Sequence, residues 1–302
     1  VGMATNIPPH NIGEVCTALL KLLDEPELSS IRLCQWIKGP DFPTGGQILN
    51  SAKELKGIYN EGSGVIRLRA QWETGPSTRG GKLVYITSVP YMVNKAQLIE
   101  RIADVVLSRK LPPLLDVKDL STDEVRIALE LKKDADEKMV LAYLFKHTPL
   151  QTSITVNLTC LVPSDPSEPA LRPERLDLKT ILYHFIRFRL DVVTRRLKHE
   201  LSVLKRRIHI LEGFEKVFDA LDAIIKLIRG SDGKTDAAKK IMKKFSLDAE
   251  QTDAILELKI YRLARLEILQ IREELTDKKR QARKIGRLLK DEESLRELVR
   301  DE

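Results

Sequence analysis

Apolar and polar positions along this chain change rhythm once, near residue 177, and that change divides the predicted architecture. Ahead of it, short helical spacings alternate with two-residue periodicity. Val15, Leu19, Leu22 and Leu23 recur at helical steps behind Asn11, a side chain suited to cap a first turn. A second helix is expected over residues 31–37, ended by Gly39-Pro40 and Phe42-Pro43. Alternation then sets in. Val65, Arg67 and Arg69 fall on one face of a strand, and Ile66, Leu68 and Ala70 on the other. Residues 74–81, with three glycines and a proline, read as a hairpin loop before a return strand through Leu83, Tyr85 and Thr87. Asn94 opens a helix whose apolar face is Leu98, Ile102, Val105 and Val106. A strand near 126–131, a helix near 137–145 and a strand over 152–161 complete an α+β region with an antiparallel or mixed sheet.

Four prolines at 163, 166, 169 and 173 form a surface connection, and beyond Asp177 the chain contains no proline. There Leu182, Ile186, Leu190, Val193, Leu197, Leu201, Leu204, Ile208 and Leu211 recur at steps of three and four, a coiled-coil seam over several heptads. Ile268, Ile271, Leu275, Ala282, Ile285 and Leu289 repeat the rhythm later, with Lys278 interrupting it. A helix with one apolar stripe must bury it, and the insert between the seams can reverse the chain, so an antiparallel pair is predicted. The insert, about residues 213–262, reads as further short helices. With little interior of its own, this knob is expected to turn Phe214, Phe218, Leu221, Ile225, Leu256 and Ile260 towards a second copy.

Charge follows the same division. The net charge is +7 over 302 residues; residues 1–176 are balanced, whereas residues 177–302 hold 30 basic and 23 acidic side chains. A basic excess suits a polyanion such as nucleic acid; a helical surface that is merely basic and solvated fits equally. Clusters at Arg195, Arg196 and Lys198, at Lys205 to Arg207, and at Lys278 to Arg287 would line the stalk. Cys16, Cys34 and Cys160 lack any pairing or ligand spacing, as in a reducing cytoplasm. No apolar run nears the roughly 18 residues of a membrane span.

Candidate chemistry is sparse. Gly62-Ser63-Gly64 lacks the third glycine of a dinucleotide loop, and Gly80-Gly81-Lys82 lacks phosphate-loop spacing. Asp134-Ala135-Asp136 sits at a helix start, where carboxylates cap amides more readily than they hold a metal. The five histidines have no ligand spacing, and no nucleophile–base–orienter set is evident. These residues describe a binding and mechanical element.

Several motifs add a resemblance. Val1-Gly2-Met3-Ala4-Thr5-Asn6-Ile7-Pro8-Pro9-His10-Asn11, Gly39-Pro40-Asp41-Phe42-Pro43-Thr44 and Pro90-Tyr91-Met92-Val93-Asn94-Lys95 occur in this order. They are followed by Val192-Val193-Thr194-Arg195-Arg196, His209-Ile210-Leu211-Glu212 and Ala254-Ile255-Leu256-Glu257-Leu258. Together they resemble the A subunits of bacterial type IIA topoisomerases, DNA gyrase and topoisomerase IV.

The resemblance implies that residues 1–176 form a tower domain flanking cleaved DNA. Residues 177–302 would be the coiled coil with the C-terminal dimer gate at its tip. It further implies a cytoplasmic, nucleoid-associated enzyme. In it a tyrosine pair cuts one duplex, a second duplex passes, and a B subunit supplies Mg2+ and ATP hydrolysis; no cofactor is expected in this chain. The nucleophile of that family lies in an Arg-Tyr-Thr context, which none of Tyr59, Tyr85, Tyr91, Tyr143, Tyr183 or Tyr261 shares. The expectation is therefore of a piece that contacts duplex DNA and gates without cleaving. Asn6, His10, Asn11, Asn94, Lys95, Arg195 and Arg196 are the candidate DNA contacts, with Arg67, Arg69 and Lys82 as weaker ones. The competing expectation is a coiled-coil dimer with no nucleic-acid role.

Overall fold

In the computed structural model, described for residues 4–77, 81–163, 171–259 and 265–302, the chain divides into two compact units, Val1–Ile186 and Arg187–Glu302.

Alternation sets the first unit. Strand β1 (Gln47–Ile48) pairs with β2 (Ser63–Arg69), and β2 pairs along its length with a strand far away in sequence, Gln151–Asn157. The antiparallel register places Ile66 opposite Ile154 and Leu68 opposite Thr152. Ile66, Leu68, Ile154 and Val156 are buried together with Phe42, Leu55 and Ile58, while Val65 on the other face is 48 % exposed. In chain order the remaining strands are β3 (Trp72–Ser77), β4 (Lys82–Ile86), β5 (Leu114–Asp119) and β6 (Ile127–Leu131). They form a second antiparallel sheet of order β3-β4-β6-β5. The strand paired with β2 is thus β7, and β8 (Thr159–Pro163) pairs with β9 (Leu171–Arg175) as a ribbon.

Helices α1 (Ile12–Asp24), α2 (Ser30–Leu33), α3 (Ala52–Glu61), α4 (Lys95–Leu107) and α5 (Glu137–His147) fill the intervals. Each begins at a side chain that accepts from the first-turn amides: Asn11, Ser29, Ser51, Asn94 and Asp136. Leu98, Ile102 and Val105 of α4 and Val140, Leu141 and Leu144 of α5 pack with Val84, Ile86, Ile127, Leu129 and Leu131 of the second sheet.

Two local expectations change and a third holds. The helix predicted over residues 31–37 is the four-residue α2, followed by amides that bond three residues back (Gln35 to Arg32, Trp36 to Leu33), a tightening ahead of Gly39-Pro40. The hairpin loop is shorter than predicted, because β3 continues through an irregularity to pair Ser77 with Lys82. Asp136 caps α5, as its position suggested.

One glycine fixes how the ribbon meets α3. Gly62 ends α3 in the left-handed region (φ +70°), and a Cβ there would stand 2.2 Å from the Leu176 carbonyl oxygen. Its own carbonyl accepts from Leu158, 2.8 Å away. Only a residue without a side chain fits that crossing.

Helix α6 (Leu178–Phe218) starts in the first unit, where the Asp177 carboxylate accepts from the Thr180 amide at 3.1 Å and from the Ser30 hydroxyl, and continues into the second. There it is followed by α7 (Leu221–Arg229), α8 (Lys234–Phe245), α9 (Ala249–Leu256), α10 (Arg265–Leu288) and α11 (Glu292–Asp301). Arg196 to Leu204 of α6 line one hollow with Gln281 to Leu288 of α10, and further on come the ion pairs Glu212–Lys279 (2.7 Å) and, one residue past α6, Asp219–Arg272 (2.6 Å), so the two helices run antiparallel. A bidentate Arg207–Glu274 pair, both contacts 2.7 Å, also joins the two helices but does not follow that order.

The insert has an interior of its own, contrary to the expectation. Leu211, Phe214 and Val217 of α6 pack with Ile224, Ile241, Leu247, Ile255, Ile271 and Leu275. Gly213 lets α9 close on α6: a Cβ there would lie 3.0 Å from Gln251 Cβ, and Gln251 donates to the His209 carbonyl at 2.7 Å.

Candidate nucleic-acid interface

The candidate contacts in the first unit come from three places. Asn6 lies beside β7, its backbone bridged to Asn157 and its amide donating to the Thr155 carbonyl. His10 turns inward, 2.7 Å from the Tyr59 hydroxyl. Burial lowers its pKa below the ordinary imidazole value, with the Pro8 carbonyl and Glu14 acting the other way. Tyr59 is 2 % exposed, and burial pushes its hydroxyl far up, with Cys34 and Glu14 adding to the shift. A tyrosine so placed is a poor nucleophile despite the imidazole beside it. Asn11 caps α1 through Oδ1 and donates from Nδ2 to Asp41 at 3.2 Å. These three side chains already have partners within the unit.

At the start of α4, Asn94 accepts from the Gln97 amide at 3.2 Å, and Lys95 pairs with Asp119 at 2.8 Å. Hydrogen bonds from Lys95 and Ser121 hold the Asp119 carboxyl down to about 2. Just before this start, Met92 is 82 % exposed in the left-handed region (φ 65°). Of the weaker candidates, Arg67 pairs with Glu54 at 3.1 Å and Lys82 donates to the Ala135 carbonyl at 3.1 Å. Arg69 has no carboxylate partner among the described residues; the Gln151 amide oxygen takes two of its N–H groups.

In the second unit, Arg195 pairs with Asp191 one turn away at 2.9 Å, and Arg196 pairs with Glu200 and Glu302. Further along, a hollow of about 640 Å³ collects Lys279, Arg280, Arg283, Lys284 and Arg287. Lys279 and Arg280 have carboxylate partners, whereas Arg283, Lys284 and Arg287 form no ion pair among the described residues. A run of unneutralised charge therefore lies on α10.

The candidate dimer residues divide by depth. Phe214 is 5 % exposed inside the unit's own core, and Phe218, Leu221 and Leu256 lie half-buried at its edge. Ile225 is 36 % exposed and shares a face of α7 with Ile228, 41 % exposed. Ile260 lies outside the described residues. Sequence spacing found the apolar face of α7, and Ile228 belongs with the candidates on it. Among the described residues, no three His, Cys, Asp or Glu side chains gather where they could hold a metal ion, and no helix is long and apolar enough to cross a membrane.

Comparison with known proteins adds the wider setting. A family model for the A subunit of DNA gyrase/topoisomerase IV matches residues 1–302. The DNA gyrase A subunit of Clostridium acetobutylicum is 41 % identical over 303 residues, covering all of this chain and 36 % of that protein. The DNA topoisomerase 4 A subunit of Streptococcus pyogenes is 36 % identical over 302 residues, with the same coverage. The DNA gyrase A subunit of Staphylococcus aureus is 38 % identical over 304 residues, covering all of this chain and 33 % of that protein. The chain thus spans about a third of the length of these relatives.

Proposed function

Because the chain belongs to the family of DNA gyrase/topoisomerase IV A subunits, we propose that it is the DNA-flanking and gating portion of a type II topoisomerase that changes DNA topology by duplex passage. The observation that carries this reading is the family match along the whole chain. Residues 1–176 would flank the cleaved duplex as the tower. Residues 177–302 would form the arm and, at about 213–262, the knob that closes against a second copy. The site of action would be the bacterial nucleoid.

The geometry supports a division of labour. Arg283, Lys284 and Arg287, which form no ion pair among the described residues, suit passing phosphates without reading sequence. Exposed Ile225 and Ile228, backed by the buried core around Ile224, offer a firm apolar face to a two-fold partner. Of the tyrosines, Tyr59 is locked inside, and none has the family's nucleophile context. Strand cleavage, Mg2+ and ATP hydrolysis would then reside elsewhere in the holoenzyme and in its B subunit.

Light scattering over a dilution series tests the gate: a dimer that persists at low concentration, and that Ile225→Glu dissociates, is expected. A monomer throughout would remove the gate from this chain. Duplex binding that weakens steeply with salt is the second expectation. Plasmid relaxation by the purified chain would overturn the assignment of cleavage elsewhere.

A second reading, a coiled-coil dimer without a nucleic-acid role, has one observation in its favour. Arg196, Arg207, Arg272 and Lys279 all have carboxylate partners within the unit. Dimerisation with no salt-sensitive duplex binding would select it.

A further inference from the structure

One hollow of the first unit gathers positive charge that no carboxylate among the described residues answers. Its volume is about 400 Å³, and it lies between the last residue of β2, the first of β3 and one stripe of α5. Lys138, Phe145 and Lys146 stand at helical spacing on that stripe, and Trp72 and Arg69 close the other side. Arg69 is the fixed point. Its Nε and Nη2 donate to Gln151 Oε1 at 3.0 and 2.8 Å, and its guanidinium carbon sits 4.4 Å from the centre of the Phe145 ring. Two of its five N–H groups are thereby bound to a neutral amide oxygen and its plane is set by an aromatic face. None of Arg69, Lys138 and Lys146 forms an ion pair among the described residues.

Three cations around one concavity repel each other unless an anion joins them. A planar, pre-oriented guanidinium between two flexible ammonium groups matches phosphate oxygens. The walls add a second requirement. With the Phe145 ring taken up by Arg69, half-buried Trp72 is the flat surface beside that charge, suited to the ring of a base more than to an inorganic anion. We infer that this hollow binds a nucleotide phosphate, carried either by a DNA strand or by a free nucleoside phosphate. The site stands on the first unit alone; only its DNA form rests on the function proposed above.

Trp72 is the reporter. The chain has two tryptophans, so Trp36→Phe leaves Trp72 as the sole indole. This variant of the full chain is titrated with a short blunt duplex, with ATP and with inorganic phosphate, following Trp72 emission. A saturable change with duplex or ATP, at concentrations well below those of inorganic phosphate, is expected. The double substitution Lys138→Gln, Lys146→Gln alters two exposed side chains, so it should keep the native circular dichroism while weakening the response about tenfold or more. A duplex response assigns the strand as the source, and an ATP response without one assigns the free nucleotide. Silence to all three ligands, or equal affinity for inorganic phosphate, overturns the inference. Salt-dependent duplex binding that leaves Trp72 silent and survives the double substitution overturns this site while leaving the DNA contact of the proposed function standing. A nucleotide response without any other duplex binding does the reverse.

Discussion

Burial keeps the His10 imidazole neutral against the Tyr59 hydroxyl, and that has a pH signature. A histidine whose folded pKa lies below its unfolded one stabilises the fold fully above the ordinary imidazole value of about 6.5. The contribution falls as pH drops from there towards the lowered folded value, because the unfolded chain takes up the proton first. Urea unfolding of the first unit at pH 7.5 and pH 5.5 should show a larger loss of midpoint on acidification for the parent chain than for His10→Gln. An equal loss in both would mean that the imidazole is solvated. Lys95 gives a second prediction at this scale. Asp119 holds it at 2.8 Å, so Asp119→Asn frees a cation at the start of α4. Duplex affinity at low salt should rise about threefold, with a steeper salt dependence; unchanged affinity would place Lys95 away from the duplex. The resemblance pointed to Asn6, His10 and Asn11, but the sequence carries no record of which neighbour each side chain meets. Thr155, Tyr59 and Asp41 are those neighbours here, and they are distant in the chain.

Elements with one buried face and one wet face were legible from their period. β2 shows this most plainly, with Ile66 and Leu68 inside and Val65 outside. Elements without that contrast were not. Every residue of β9 is exposed, so no alternation marks it. β5 is an edge strand whose burial is irregular and whose register shifts between Leu114 and Asp116. Helix α3 carries a sequence signal in its capping box, Ser51 with Glu54, but Gly57 interrupts an already short apolar stripe. The interior of the insert was unreadable for another reason: its members run from Leu211 to Leu275, and no local window contains that closure. The α5 stripe is similar, since Lys138 and Lys146 read as solvated charges until β2 brings Arg69 against Phe145. Element junctions carry the sharpest prediction. Gly62→Ala puts a methyl group into a left-handed residue 2.2 Å from the Leu176 carbonyl oxygen. It should cost about 3 kcal/mol of the first unit's stability, read from denaturant midpoints; a loss within experimental scatter would mean that the ribbon of β8 and β9 yields freely.

At the scale of the molecule, the two units should answer dilution differently. If the α7 face closes on a second copy, the thermal midpoint of the helical unit rises with protein concentration by mass action, while that of the α/β unit stays fixed. Calorimetry across a hundredfold dilution reads this directly, and two concentration-independent transitions would count against the gate. The pairing of Asn6 with Asn157 also sets a clock. The amide of Asn6 bonds to a residue 149 positions later, and β2 meets β7 only after the whole second sheet and α5 have been made. The register partners of β2 in β7 run from Arg69↔Gln151 to Ser63↔Asn157, so at a bacterial elongation rate of roughly 5–20 residues per second β2 waits about 4–19 s for its partner. The second sheet closes over much shorter separations and can form during the wait, so the strand carrying Ile66 and Leu68 is the one that nascent-chain chaperones would meet open.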